Sequence, residues 1–584
     1  MNFLRNLLAS IIGTFITLGL ILFLLIVVVF AMSEDEEIVV KENTVLEIKL
    51  DKTVKDYAPK SDDPFDEIFG TNNKKMGLNE IINAIENAKY DDNIKGISIN
   101  SLNINAGISQ TKEIRNKLAE FKETGKFVNA YADVYDQKGY YLASVADSVF
   151  INPVGELAFK GLSSEVLFFK NLQEKTGVKM EVIRHGKYKS AVEPFLENEM
   201  SENNREQISS FLKSIWGEML NDISESRNIS VDELNHIADG LLGRNAVLAV
   251  ENKLVDGALY WDEYEAKLKH LLGISNEDKI NSITLKDYIS TGKGRVIESG
   301  SDKIAVIYAQ GEIIYGKGDE EYIGPELIIK AIREAVKLSS TKAIVLRINS
   351  PGGSALASEL IWREIELAKK ELPIVVSMGD MAASGGYYIA CNANKIIAEP
   401  TTITGSIGVF GVLPNISTLA ENIGINAEQV NTNKSASYSL FEPMTNEFKT
   451  VTQEGVEFVY TTFVKHVAEG RNMTFDEVDK IAQGRVWSGV EAKEVGLVDE
   501  LGGLRTAVIE AAGLAGITDY KVRNYPSYKI DFEERFDGFP FASSKEEMMI
   551  KEFGEANYKL YQNLKQFSQI TGIQARLPFL VEIN

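Results

Sequence analysis

The chain has 584 residues, enough for several domains that each bury a core of their own. Its 84 acidic residues outnumber 62 basic ones, and the net charge of -22 argues against nucleic acid as a partner, because phosphate binding needs clustered lysine and arginine. Cys391 is the single cysteine, which excludes an internal disulfide and a thiolate metal cluster. We expect neither a metal nor another cofactor.

The first predicted element is a membrane anchor at residues 1–33. Residues 7–32 carry no charge, and this apolar run exceeds the roughly 20 residues that a helix needs to cross a bilayer. Arg5 precedes the run, and four acidic residues at 34–37 follow it. By the positive-inside tendency, the N-terminus lies in the cytoplasm and the chain after residue 33 lies outside.

The alternative for this segment is a cleaved signal peptide, with Ala31 and Ser33 as the small residues around a cleavage site. The apolar run is much longer than the roughly 7–15 residues of a usual signal-peptide core. The length therefore favours an uncleaved anchor, followed by a linker at residues 34–44.

The rest of the chain contains an internal repeat. A predicted strand, a helix and a second strand recur in the same order, first at residues 43–50, 78–86 and 94–101 and then at 303–309, 325–333 and 343–350. A Gly-Tyr-Tyr sequence at Gly139 returns at Gly386 with nearly the same displacement. This self-similarity predicts two related domains, at residues 45–285 and 300–520.

Short apolar, β-branched runs alternate with amphipathic helices in both repeats, which predicts an α/β fold of parallel βα units. Residues 200–279 are charged and helical in pattern, with Ser230 as the N-cap of one helix. Residues 521–584 have no counterpart in the first half and are predicted to form a helical tail.

A glycine turn marks the second repeat as the one with chemistry. The strand that ends at residue 349 runs into Ser-Pro-Gly-Gly-Ser before a helix, and Gly352 and Gly353 leave backbone amides unobstructed at the N-terminus of that helix. Such amides form an oxyanion hole. The first repeat has no glycine pair at the equivalent residues 101–105.

A second turn supplies a candidate nucleophile. Ser384 stands between small residues at the start of a predicted helix, with Gly385 next to it as a further candidate for the oxyanion hole. The first repeat has Gln137 in the equivalent place. Alone, this turn reads as an N-cap serine, but the two turns together predict a serine nucleophile.

Serine needs a base to attack at neutral pH. The four histidines (His185, His236, His270 and His466) are scattered, and none lies in either glycine turn. Ser-Lys pairs are an alternative, and Lys189 and Lys434 both stand in loops that begin Lys-Ser-Ala. A lysine base must be desolvated to lower its pKa from about 10.4.

Four motifs together resemble the signal peptide peptidase A (protease IV) family in its long, duplicated form. They are residues 188–195 (YKSAVEPF), 349–354 (NSPGGS), 381–388 (MAASGGYY) and 404–409 (TGSIGV). The resemblance runs from the anchor to about residue 516. It implies a fold of the Clp protease and crotonase superfamily and assembly into a homotetramer.

The resemblance also implies the roles of the site residues. Ser384 matches the family's nucleophile, Lys189 its general base, and Ser406 the residue that holds the base by a hydrogen bond. Lys434 is the alternative base, because short members of the family keep their lysine in that region. The implied activity is cleavage of remnant signal peptides on the periplasmic side of the bacterial inner membrane.

Two other classes of protein compete with a peptidase. The crotonase fold also carries acyl-CoA chemistry, and a duplicated, anchored protein can act as a non-enzymatic scaffold. An exported domain argues against a CoA substrate, and the intact glycine turn with Ser384 argues against a scaffold.

Overall fold

The computed structural model describes residues 2–32, 38–59, 75–101, 103–295, 300–433, 438–528 and 573–576. Its first element is a helix of 31 residues, Asn2–Met32, at the predicted apolar run. Across the residues so described, no helix meets both the length and the apolarity required to cross a membrane. The anchor and the domain boundaries stay predictions.

The first half folds around a sheet of six parallel strands, here named the first sheet. Its strands are, in spatial order, Gly257–Ala258, Ser148–Leu157, Phe127–Tyr135, Ile94–Ile99, Thr44–Ile48 and Asn281–Thr284. The central strands are rich in buried aliphatic residues, as expected where helices cover both faces of a parallel sheet.

Helices alternate with these strands along the chain and continue through the predicted helical stretch at residues 200–279. They are Leu78–Tyr90, Ile108–Lys122, Gln137–Ala143, Lys170–Thr176, Glu193–Leu196, Glu202–Arg227, Val231–Asp239, Ala246–Glu251, Trp261–Leu272 and Leu285–Tyr288, with a 3-10 turn at Ser190–Val192 and a π turn at Ile289–Lys293. The predicted N-cap is confirmed, because the Ser230 hydroxyl accepts a hydrogen bond from the backbone amide of Glu233.

The second half repeats the arrangement as the second sheet. Its strands are, in spatial order, Val486–Ser488, Ile403–Gly405, Ile374–Ala383, Thr341–Ser350, Asp302–Gln310 and Tyr520–Tyr525. In addition, Lys395–Ala398 pairs with Ile374–Ala383, and Glu500–Leu501 pairs with Lys395–Ala398. Its helices are Pro325–Lys337, Ala355–Ala368, Gly385–Ala390, Ser417–Asn422, Asn446–Arg471, Phe475–Ile481, Gly489–Glu494 and Leu504–Ala515. The predicted α/β fold of duplicated, parallel βα units is confirmed.

A third sheet joins the two halves and is named the shared sheet. Its strands are, in spatial order, Tyr322–Ile323, Glu312–Ile313, Gly352–Ser354, Ile573–Arg576, Val409–Asn415 and Lys179–His185. The last of these comes from the first half and runs antiparallel to its neighbour from the second. A separate pair, Thr53–Lys55 and Lys75–Gly77, completes the described strands.

The described parts of the C-terminal tail contain strands and no helix, so the predicted helix is wrong for them. Tyr520–Tyr525 adds a parallel edge to the second sheet beside Asp302–Gln310, and Ile573–Arg576 enters the shared sheet. Backbone pairing with neighbouring strands that are distant in sequence makes these segments strands. Residues 529–572 and 577–584 of the predicted tail lie outside the described residues.

Buried charges also connect the halves. The guanidinium of Arg347, in the second sheet, is fully buried and pairs with Asp56 and Glu113 of the first half. Asp380 of the second half accepts a hydrogen bond of 2.9 Å from the backbone amide of Ser109, at the start of the helix Ile108–Lys122. Removing one member of such a set leaves an unpaired buried charge, so these contacts hold the domain orientation on which the site depends.

Candidate active site

Ser384 stands at a sharp turn between the strand Ile374–Ala383 and the helix Gly385–Ala390. Its backbone angles, φ 55° and ψ -112°, are rare for a residue with a side chain, and such a conformation costs about 1–3 kcal/mol. In α/β-hydrolases, a strained strand-to-helix turn of this kind presents the nucleophile. The backbone amide of Ser384 is fixed by a 2.8 Å hydrogen bond to the carbonyl of Gly405.

Lys189 comes from the first half, and the shared sheet carries it to the second. The strand Lys179–His185 pairs along Val409–Asn415, and the loop that follows brings Lys189 against Gly484. A side-chain carbon at Gly484 would lie 2.6 Å from the Lys189 backbone nitrogen. Only glycine permits this close approach.

The Lys189 amine has three polar neighbours. Its Nζ lies 2.8 Å from Ser384 Oγ, 3.1 Å from the carbonyl oxygen of Ser406 and 3.0 Å from Ser406 Oγ. An ammonium would donate to all three oxygens. A neutral amine has two N–H groups and one lone pair, so if both donate to Ser406, the lone pair faces the Ser384 hydroxyl and can accept its proton.

The surroundings of Lys189 favour the neutral amine. The side chain is fully buried, and its Nζ lies 5.9 Å from the centre of the Phe410 ring. Phe410 belongs to a buried apolar cluster with Val192 and Val412. Burial lowers the pKa of the Lys189 amine well below the usual range of lysine, as a general base requires.

Two of the predicted oxyanion glycines, Gly352 and Gly385, lie against one carbonyl oxygen, that of Ala575 in the C-terminal strand. A side-chain carbon at Gly352 would lie 2.2 Å from this oxygen and 2.8 Å from the backbone nitrogen of Gly385. One at Gly385 would lie 3.0 Å from the same oxygen and 3.2 Å from the backbone nitrogen of Gly353. Gly352 and Gly385 thus leave no room for side chains beside this oxygen, and Gly353 pairs with Ala575 in the shared sheet. The three glycines are named the glycine cradle.

The structure brings together most of the residues that the sequence predicts for the site: Ser384, Lys189, Ser406, Gly352, Gly353 and Gly385. The alternative base, Lys434, lies outside the described residues. Two of the histidines are engaged elsewhere, His185 with Glu457 and His466 with Glu359.

Gln207 is a positioning residue that the sequence analysis missed. Its buried side-chain amide donates to the Tyr188 carbonyl at 3.1 Å and to Ser190 Oγ at 3.0 Å, and its oxygen accepts from the Val486 amide at 3.2 Å. It therefore ties the lysine loop to the second half. A glutamine inside a long polar helix gives no sequence signal for this role.

Comparison with known proteins identifies the family. The profile of peptidase family S49 matches residues 120–275 and 366–518, one stretch in each half. Protease 4 of Haemophilus influenzae is 36% identical over 527 residues, which cover 88% of this chain and 85% of that protein. Protease 4 of Salmonella typhi is 38% identical over 472 residues, covering 79% and 76%.

A chloroplastic serine protease of Arabidopsis thaliana, named SPPA, is 34% identical over 460 residues, covering 77% of this chain and 68% of that one. Among solved structures, a ClpP1 mutant from Listeria monocytogenes is 18% identical with a TM-score of 0.24, covering 35% of this chain and 94% of that one. A TM-score of this size leaves the relation to the Clp and crotonase superfamily a prediction.

A duplicated α/β fold with a buried serine and amine beside a glycine cradle defines a hydrolase-like site, and the family match makes the class specific. The chain belongs to peptidase family S49. The resemblance to signal peptide peptidase A and the expectation of a serine peptidase are thereby confirmed.

Proposed function

We propose that this chain hydrolyses peptide bonds with Ser384 as nucleophile and Lys189 as general base. The observation that carries the proposal is the 2.8 Å contact between Lys189 Nζ and Ser384 Oγ in a fully buried setting. Ser406 orients the amine through its carbonyl and its hydroxyl. Gly352, Gly353 and Gly385 form the oxyanion hole.

The first chemical step forms an ester. The neutral Lys189 amine accepts the hydroxyl proton as Ser384 Oγ attacks the peptide carbonyl carbon. The negative charge that develops on the carbonyl oxygen is stabilised by the backbone amides of the glycine cradle. The Lys189 ammonium then gives its proton to the departing amine, the C–N bond breaks, and an acyl ester on Ser384 remains.

The second step returns the enzyme to its starting state. Water attacks the ester carbon while Lys189 takes one of its protons, and the proton then passes to Ser384 Oγ as the C–O bond breaks. The carboxylic acid product leaves with the neutral amine restored. No cofactor is needed, because the same lysine carries out all four proton transfers.

The shape of the cleft supports unfolded peptides as substrates. The strands Gly352–Ser354 and Val409–Asn415 stand on either side of a single strand position, which Ile573–Arg576 occupies antiparallel to both. Such a position binds one extended chain through main-chain hydrogen bonds and excludes a folded protein. We propose remnant signal peptides and other membrane-proximal peptides as the natural substrates.

The proposed location rests on the sequence and on the family resemblance. The apolar segment at residues 7–32 and its charge asymmetry support a single-pass anchor in the bacterial inner membrane, with both domains on the periplasmic side. The family resemblance supports a homotetramer. An anchored enzyme of this kind meets signal peptides where they are released.

Topology is testable with intact spheroplasts. We expect added protease to degrade the large domains while a cytoplasmic marker protein survives, because everything after residue 33 lies outside. The mature protein should keep its N-terminal segment when analysed by mass spectrometry. Degradation only after lysis, or a mature N-terminus near Glu34, would contradict the anchor.

The role of the glycine cradle is testable by adding one methyl group, in the substitution Gly353→Ala. A side-chain carbon at Gly353, where φ is 152°, would lie 2.0 Å from the carbonyl oxygen of Ile313, so Gly353→Ala must displace the amide. We expect turnover to fall by about 10²–10³, the usual effect of losing one oxyanion donor. The matched control is Gly513→Ala, where an added carbon meets nothing within 4 Å. Equal activity in the two variants would remove Gly353 from the site.

A direct assay tests the function as a whole. The full-length protein should cut a synthetic signal peptide, and mass spectrometry of the products should map the cleaved bonds. It should leave a stably folded protein intact. If peptides of every kind remain uncut, the proposed activity is wrong.

A further inference from the structure

The chain fills its own cleft with a segment from its C-terminus. Ile573–Arg576 pairs antiparallel with Gly352–Ser354 on one side and with Phe410 and Gly411 on the other. The Ala575 carbonyl oxygen lies in the glycine cradle, and Ala575 is fully buried. A peptide substrate whose scissile carbonyl occupies the cradle has to adopt this same register.

Register then places Arg576 just after the position of the cleaved bond. Arg576 lies opposite Gly352, and the parallel pairing of Ile313 with Gly353 puts Glu312 in the same row on the next strand. Residues in one row of a sheet project to the same face. Because the middle residue of the row is glycine, the space between the two outer side chains is open.

Arg576 and Glu312 meet across this space. Arg576 Nη1 donates to Glu312 Oε1 at 3.1 Å, with 10% of the arginine side chain and 22% of the glutamate side chain exposed. Burial raises the pKa of the Glu312 carboxyl, and the nearby Arg576 cation lowers it. A largely buried carboxylate is costly unless a cation pairs with it, so the cleft wall favours a positive charge at this point.

We propose that Glu312 is a specificity-determining residue that selects arginine or lysine at the position directly after the cleaved bond of a substrate. The inference rests on the proposed function, because it takes the strand Ile573–Arg576 as the image of a bound peptide. Ala575 stands for the residue before the cleaved bond and Arg576 for the one after it.

The test measures peptide binding to the full-length Ser384→Ala protein, in which the peptides stay intact. Fluorescent peptides contain Ile-Gln-Ala-X, with X as arginine, glutamine or glutamate. We expect the arginine peptide to bind roughly tenfold more tightly than the glutamine peptide, as for a hydrogen bond to a charged group, and the glutamate peptide to bind most weakly. The chain's own strand competes with all peptides alike, so the ratio of their Kd values is unaffected.

Charge changes at Glu312 supply the decisive comparison. Glu312→Gln should bring the arginine-to-glutamine ratio close to one, and Glu312→Arg should make the glutamate peptide the tightest. The control is Glu326→Gln, an exposed carboxylate on the next helix, which should leave the ratio unchanged. Retained binding of the glutamine peptide shows that each variant is folded.

Equal Kd values for the three peptides, or an arginine preference that survives Glu312→Gln, would overturn the assignment. Cleavage by the protein with an intact Ser384 is scored separately. An arginine preference in binding without any cleavage would count against the proposed peptidase mechanism and in favour of Glu312 as the selecting residue.

Discussion

Ser384→Ala should abolish peptide hydrolysis and leave the fold intact. Loss of the attacking oxygen removes the covalent step. In serine peptidases, loss of the nucleophile lowers turnover by a factor of about 10⁶. The change truncates one hydroxyl whose described side-chain contact is with Lys189, so the loss of folding free energy should be about 1 kcal/mol or less. Activity against a quenched fluorescent peptide and thermal unfolding, followed on the same samples, measure both effects.

Ser358→Ala is the matched control for this prediction. Ser358 is also buried and also lies beside Gly385, but its hydroxyl donates to the Ser354 carbonyl within its own helix. We expect both this variant and the parent protein to be active and to react with a fluorophosphonate probe. Ser384→Ala should lose the label. If the Ser384→Ala variant still cuts peptides, the assignment of Ser384 as the nucleophile is wrong.

Local patterns predicted those parts of the fold that depend on local sequence. The repeated strands and helices follow from apolar period and from caps such as Ser230, and the glycine turns follow from backbone positions that exclude side chains. Ser384 and the cradle glycines could be singled out because each stands in a turn whose residue types are unusual. In these places, residues adjacent in sequence are enough to predict the functional role.

Long-range contacts were beyond such reasoning. Ile573–Arg576 is four residues of the C-terminal tail, and its place as a strand depends on a gap between two strands that are far away in sequence. In the sequence, Arg347 likewise looks like any other charged residue. Only the fold shows that it is buried and paired with Asp56 of the other half. Tertiary pairing, which a single sequence does not display, decides both cases.

Lys189 lies between these two situations. Its loop carried a family-like sequence, yet nothing local related it to Ser384, 195 positions later in the chain. The link is the antiparallel pairing of Lys179–His185 with Val409–Asn415, which inserts an element of the first half into a sheet of the second. The first repeat lacks the glycine turn and the nucleophile, so its contribution to chemistry would be this one amine.

Lys189→Met should therefore eliminate hydrolysis at every pH, because it keeps the length and removes the base. In the parent protein, kcat/KM should rise with pH as the amine loses its proton, with a midpoint well below the ordinary lysine value, since burial lowers its pKa. Lys434→Met is the control and should keep most activity and the same pH profile. The reverse outcome would transfer the base to Lys434 and make the second repeat a self-sufficient catalytic unit.

Measuring the stability of the Lys189→Met variant shows whether its inactivity comes from the missing base or from a disrupted fold. The pKa of Lys189 is lower in the folded than in the unfolded protein, so between those two values the unfolded state binds more protons, and the free energy of unfolding decreases as the pH falls. Lys189→Met removes this proton uptake. We expect an inactive variant whose Tm at neutral pH is equal to or higher than that of the parent and depends less on pH. An inactive variant with a lowered Tm would instead indicate that the lysine supports the fold, and the split catalytic pair would lose its main support.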